Sequence, residues 1–424
     1  MKTIDTSAVD RLNWLDFYVL EEANGCSVKA LADELASETK NCGTGSGGFT
    51  AGNSCSSGGG SVSDTKNLGS RDTKPSEAID RSIAMQEHFA GMSNKVFIKE
   101  AGALLESTGM SAEDAKSFTA GLNRSISGKY ATTVAGFQRD VLAGLGEDYT
   151  QRALESSVRG IVAGILLHKE ITGYDSSDTI ITNIGDTLTG VRDPQQSILM
   201  SIENDKSPKY GGAFGAMGDR ASNKEHPFRP IMIFCPGDIA STENRLLSSP
   251  VQTLESPESR QFIGKAWTLD AGLNRLGMIS DPEVQKEYAA KMGYVGDLKA
   301  LSKLTSTPEG RTFLVATHTV LHEMGHFEHW RATVEREMAA IPNFNPRLDR
   351  TQMINASLRK WRNMSEKPGN SKLVMSQYGK KSELETVAEA YSGFALGHTF
   401  DDKVRGEYTR LGGGKRKPAK SKKP

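Results

Sequence analysis

His322, Glu323 and His326 stand in the order His-Glu-x-x-His within Val315 to Trp330, VATHTVLHEMGHFEHW. His318 and His329 lie in the same stretch, which therefore holds four of the chain's eight histidines. On a helix, residues four apart differ by about 40° in direction and about 6 Å in rise, so His322 and His326 turn their imidazoles toward one point. Two imidazoles so placed supply two corners of a zinc tetrahedron. Glu323 lies about 100° round the helix from His322. It sits beside the metal and not on it, where a carboxylate can act as general base on the water at the open corner. The flanking Leu314, Val315, Val320, Leu321, Met324 and Phe327 predict a buried helix.

A catalytic zinc needs a third protein ligand, with the fourth position left to water. A histidine ten residues after His322 would serve, but that residue is Ala332. His329 is about 10 Å along the axis from His322, and His318 is one turn before it, so neither shares the metal. Both are expected as supporting or surface groups. Glu385 is the better candidate, in SQYGKKSELETVAEAYSGF, Ser376 to Phe394. Ser382 can cap a helix there, which puts Glu385 at its third position, a place that equally suits a capping-box glutamate. Glu389 is one turn on, on the same face. Ala388 and Ser392 keep that face small, and Tyr378 just precedes the helix.

HEMGH followed by YG-x5-E-x2-AEA resembles the catalytic domain of anthrax lethal factor and the related phage-borne peptidases, a gluzincin group. The resemblance covers about thirty residues in two blocks of the last hundred. It implies an α+β, mostly helical, zincin-like peptidase domain with an active-site helix and a small sheet, preceded by a helical module. It also implies a zinc-dependent endopeptidase whose metal ligands are His322, His326 and Glu385. Glu323 would then be the general base, Tyr378 would stabilise the oxyanion, and Glu389 would orient a histidine. One departure is visible: the family often has aromatic residues after the ligand glutamate, and here they are Thr386 and Val387. That bears on the packing of the site wall, not on ligation.

The 424 residues are 37% hydrophobic and 25% charged, as in a soluble protein of two or three domains. Lysine plus arginine and aspartate plus glutamate balance at 52 each, so bulk charge argues neither for nor against nucleic acid. The first twenty residues carry acids and no unbroken apolar core, unlike a secretory signal. The longest apolar run, Ile161 to Leu167, is too short to span a bilayer, so no membrane partner is expected. Four irregularly spaced cysteines (Cys26, Cys42, Cys55, Cys235) suggest a reducing compartment, and the resemblance to phage-borne peptidases implies the cytoplasm of a bacterial host.

In chain order, residues 1–38 predict a pair of short helices with stripes at Leu12, Leu15, Tyr18, Val19 and Leu20, then Val28, Leu31 and Leu35. Residues 39–75 are a Gly/Ser-rich linker bracketed by Cys42 and Cys55. The bracketed segment is similar to stretches of tailed-phage head proteins, which implies virion association and phage head proteins as partners. Residues 76–172 predict a helical module. Ile79, Ile83, Phe89, Met92, Val96, Phe97 and Leu104 form one helical stripe, ended by Thr108-Gly109. Ser111 with Asp114 opens the next helix. Val134, Phe137, Val141, Leu142 and Leu145 continue the pattern, Gly160 to Leu167 is buried, and His88 and His168 are structural.

Residues 173–410 form the peptidase domain. Its first part reads as polar loops through YGGAFGAMGDRASNKEHP, with a short strand at Thr179 to Asn183. A buried strand follows at Ile231 to Cys235, with Cys235 in the core. Asp281-Pro282 opens a helix through Met292, and Thr307-Pro308 caps the motif helix. The tail, residues 411–424, holds six basic residues and no acid. It reads as a solvated tail or a weak contact for nucleic acid or an acidic protein.

These features imply a peptidase acting on a protein or peptide substrate. The alternative is a structural or minor head protein of a phage whose metal site is structural or vestigial.

Overall fold

The computed structural model describes residues 78–127, 147–172, 199–202, 211–215, 231–240, 268–345, 348–373 and 375–413. All fall in one compact unit, Asp72–Pro424. The helix pair and linker of residues 1–75, the stripe from Val134 to Leu145, the strand at Thr179 to Asn183 and the basic residues 414–424 lie outside the described residues, as do Cys26, Cys42 and Cys55.

The fold is mostly helical. Among the described residues four helices come first: α1 (Ala78–Ala90), α2 (Asn94–Ser107), α3 (Ala112–Ser125) and α4 (Glu147–Thr172). The single stripe expected from Ile79 to Leu104 is split between α1 and α2, because Ser93 caps a fresh start by accepting from Val96 N. That restart turns Val96 outward, 52% exposed, while Phe89 and Phe97 stay in the core and meet edge to face. Ser111 caps α3 through Asp114 N, as the sequence predicts.

Among the described residues three short strands follow: β1 (Leu199–Ile202), β2 (Gly212–Gly215) and β3 (Ile231–Phe234). They pair in the order β1-β3-β2, with β1 parallel and β2 antiparallel to β3. The apolar run Ile231 to Phe234 is thus the central strand, and Cys235 beyond it is buried. β2 falls in a stretch read as loop. Its Gly-Ala-Phe-Gly sequence hides a strand because two of its four residues lack side chains that would show alternation.

The remaining helices are α5 (Leu269–Gly277), α6 (Pro282–Met292), α7 (Leu298–Thr305), α8 (Pro308–Ala339), α9 (Arg350–Glu366), α10 (Glu383–Ala395) and α11 (Asp402–Leu411). A 3₁₀ turn at Tyr378–Lys380 precedes α10. Asp281 and Thr307 cap α6 and α8 with proline at the first turn. The chain is still helical and buried at Leu411, so the tail begins beyond that residue.

α8 is the axis of this unit. From Gly310 to Val334 nearly every residue on every face is buried, which means that α8 is surrounded by other elements rather than laid on a surface. α4 packs along it most closely, through two glycines one turn apart. A Cβ on Gly160 would lie 2.5 Å from Phe313 O, and one on Gly164 would lie 2.6 Å from Val320 Cβ. The missing side chains let the two backbones touch. Gly160 to Leu167 is buried throughout, as its composition predicts. No helix among the described residues is long and apolar enough to cross a membrane.

Candidate metal centre

A helix buried on all sides must find partners for every polar group it carries. α8 carries His318, His322, Glu323, His326, Glu328, His329 and Arg331, all buried. Their partners come chiefly from α10, α5 and α4.

α10 crosses α8 at Gly325, the glycine of HEMGH. A Cβ there would lie 3.0 Å from both Ala388 Cα and Tyr391 Cβ. Glycine facing alanine therefore sets the helix separation, and the carboxylates on either side of Ala388 reach the histidines. Glu385 Oε2 is 2.9 Å from His322 Nε2 and 3.5 Å from His326 Nε2. The two imidazoles meet edge to face with centroids 4.9 Å apart. Ligand atoms about 2.0–2.1 Å from a tetrahedral zinc stand about 3.3 Å from one another, so these separations fit a metal. One donor atom from each of His322, His326 and Glu385 lies within 4.8 Å of the others, and the group can hold a metal ion. Ser382 caps α10 by accepting from Glu385 N at 3.2 Å. The Glu385 carboxylate points to the two histidines.

The Glu323 carboxylate lies beside this group and is buried, and its Oε2 has no hydrogen-bond partner. Burial raises its pKa and the Glu385 charge adds to that, while His322, His326 and His318 oppose both. β2 passes directly over it: a Cβ on Gly212 would lie 3.0 Å from Glu323 Cγ. Burial also acts to raise the Glu385 pKa, but His326 and His322 outweigh it and hold the carboxyl well below the usual range. Burial acts to lower the His322 pKa, but hydrogen bonds to Glu385 and Glu389, which accept, lift it well above the ordinary value.

Tyr378 stands over the group from the 3₁₀ turn, its ring 5.5 Å from that of His322 and 4.8 Å from Lys381 Nζ. The Glu385 charge, then burial, then Glu323 and Glu389 push its hydroxyl pKa well above the ordinary value, so the phenol keeps its proton.

Glu389 lies beneath His322. Its Oε1 is 3.2 Å from His322 Nδ1 and its Oε2 accepts from Ser376 Oγ and from Leu269 N. His318, expected as a supporting or surface group, is buried against Glu389, Ser392 and Asp270. His318, His322 and Glu389 form a second group that can hold a metal ion. His329 takes no part in either group. Its Nε2 donates to Leu411 O at 3.0 Å and its ring lies 5.3 Å from Trp361.

Sequence reading missed Asp270 and the wall. Phe214 of β2 stacks on His326 at 6.4 Å, and Trp361 of α9 meets the same ring edge-on at 6.1 Å. The aromatic packing on His326 thus comes from these residues and not from positions 386 and 387. Thr386 instead donates to Gly379 O and ties α10 to the 3₁₀ turn. A lone Phe in a Gly-rich stretch and a lone Trp on a polar helix carry no local signal of this role.

No family model matches the chain, and no curated protein or solved structure matches it.

Proposed function

We propose that the chain is a zinc-dependent endopeptidase of the gluzincin type with a zincin-like domain, built for hydrolysis of a peptide bond in a protein substrate. The observation that carries this reading is the convergence of His322, His326 and Glu385 with a buried carboxylate, Glu323, whose outer oxygen is unpartnered. Two imidazoles and one carboxylate are the donor set of catalytic zinc sites that leave one position open. A zinc ion bound there would supply Lewis-acid polarisation of the scissile carbonyl and a lowered pKa for water.

The chain's own residues do the rest. Glu323 takes a proton from the attacking water and delivers it to the leaving amine nitrogen. Its burial favours this work, because a carboxylate of raised pKa is a stronger base. Tyr378 keeps its proton and donates a hydrogen bond to the developing oxyanion. Glu389 accepts from His322 Nδ1–H and so fixes the tautomer that presents Nε2 to the ligand group. The pairing of an HEMGH block with the YG-x5-E-x2-AEA block supports the kinship with lethal-factor-like and phage-borne peptidases.

The test is elemental analysis together with peptide cleavage. The wild type should hold about one zinc per chain and His322→Ala none. Glu323→Gln should keep the zinc and lose most turnover. A folded wild type without zinc, or a Glu323→Gln protein that cleaves at the wild-type rate, overturns the assignment.

A further inference from the structure

Beneath the ligand group, Glu389 continues into two buried charges that the catalytic reading does not use, His318 and Asp270. Their protons can be counted. Ser392 has one hydroxyl proton, and it goes to Glu389 O at 3.0 Å. Toward His318 Nε2, at 3.1 Å, Ser392 Oγ can therefore only accept. The same nitrogen faces Glu389 Oε1 at 3.4 Å, another acceptor. On the far side of the ring, Nδ1 faces Asp270 Oδ1 at 3.0 Å. Both ring nitrogens look at acceptors, so both carry hydrogen, and His318 is an imidazolium.

We infer that His318, held by Asp270, is a positioning residue for the metal centre: a fixed cation that locks Glu389 and, through it, the orientation and tautomer of His322. The inference rests on the reading of His322, His326 and Glu385 as the metal ligands. Glu389 is gripped at both oxygens. Oε1 faces His318 Nε2 and His322 Nδ1, and Oε2 accepts from Ser376 and from Leu269 N. α5 serves both halves of this grip, since its first residue gives the Leu269 amide and its second gives the Asp270 carboxylate. Without the His318 cation, Oε1 keeps only His322 as a partner, and the contacts at Oε2 alone no longer fix the direction in which Oε1 faces. A carboxylate that no longer holds Nδ1–H no longer fixes Nε2 for the metal.

The experiment compares wild type with Asp270→Asn, which keeps the shape and removes the charge that holds the second proton, and with His318→Gln. Zinc affinity is read by competition with a chromogenic chelator. The protonation of the His318 and His322 ring nitrogens is read by long-range proton–nitrogen NMR on the wild type. The expected result is an affinity about 10–100-fold weaker in both variants, with His318 doubly protonated and His322 carrying hydrogen on Nδ1 in the zinc-loaded wild type. A role confined to packing would lower thermal stability and leave zinc affinity unchanged. Folded variants with wild-type affinity, or a neutral His318 in the wild type, overturn the inference and leave the metal centre standing. A wild type that takes up no zinc overturns the metal centre and this inference with it.

Discussion

His329 makes the motif helix labile in acid by an amount that can be worked out. Its Nε2 must carry hydrogen, because Leu411 O can only accept. Nδ1 is then bare, buried and without a partner. Protonating it would place a charge in the core with nothing to receive it. Burial does most of the lowering, the hydrogen bond to Leu411 O opposes it, His326 and Arg336 add lesser lowering effects, and the pKa falls to about 3. An unfolded histidine titrates near 6.5. Between these values the unfolded chain binds a proton that the folded chain refuses, so the stability is present above about pH 6.5 and is lost as pH falls toward 3. From pH 7 to pH 5 the loss from this one group is about 2 kcal/mol. His318, whose pKa is raised to about 9, works in the opposite sense. Its contribution is complete below the unfolded value and is lost as pH rises through 9. The total profile therefore mixes signs, and a difference isolates His329. Urea unfolding of wild type and His329→Gln, at pH 7 and pH 5 with chelator throughout, supplies that difference. Glutamine keeps a donor for Leu411 O and removes the titration. The wild type should lose about 2 kcal/mol more than the variant over this interval. Parallel pH dependence of the two proteins would refute the reasoning.

Two further predictions concern packing and chemistry. Gly160→Ala should destabilise by about 1–3 kcal/mol, because its new methyl meets the Phe313 carbonyl, which cannot rotate away. Gly102→Ala in α2, whose Cβ would meet only Thr119 Cγ2 at 3.9 Å, should instead stabilise by up to about 1 kcal/mol. Equal signs in urea unfolding would show that the close approach of α4 and α8 does not set the stability. Tyr378→Phe should keep zinc and lower kcat about 10²-fold, the usual cost of one oxyanion donor. An unchanged kcat removes Tyr378 from the chemistry.

The parts of this site that lie one helical turn apart were legible in the sequence. The spacing of His322, Glu323 and His326 on α8, and of Glu385 and Glu389 on α10, follows from helix geometry alone. The caps at Ser111, Asp281, Thr307 and Ser382 stand where serine, threonine or aspartate precedes a helical run. What stayed hidden depends on how distant elements dock. Asp270 is 48 residues before His318 by subtraction of their numbers, and nothing around it marks a metal-site residue. Phe214 sits in a glycine-rich stretch that gives no alternation, and Trp361 on a helix that is mostly polar. Gly160 and Gly164 read as part of a buried run, but their use became visible only against Phe313 and Val320. The same asymmetry explains His318 and His329. Local geometry excludes both from the metal of His322, and it stops there. Whether a buried histidine is charged depends on what faces its second nitrogen: for His318 that is Asp270, brought by α5, and for His329 it is no hydrogen-bond partner. Two histidines of one helix are thus driven to opposite charge states by partners that only the tertiary fold supplies.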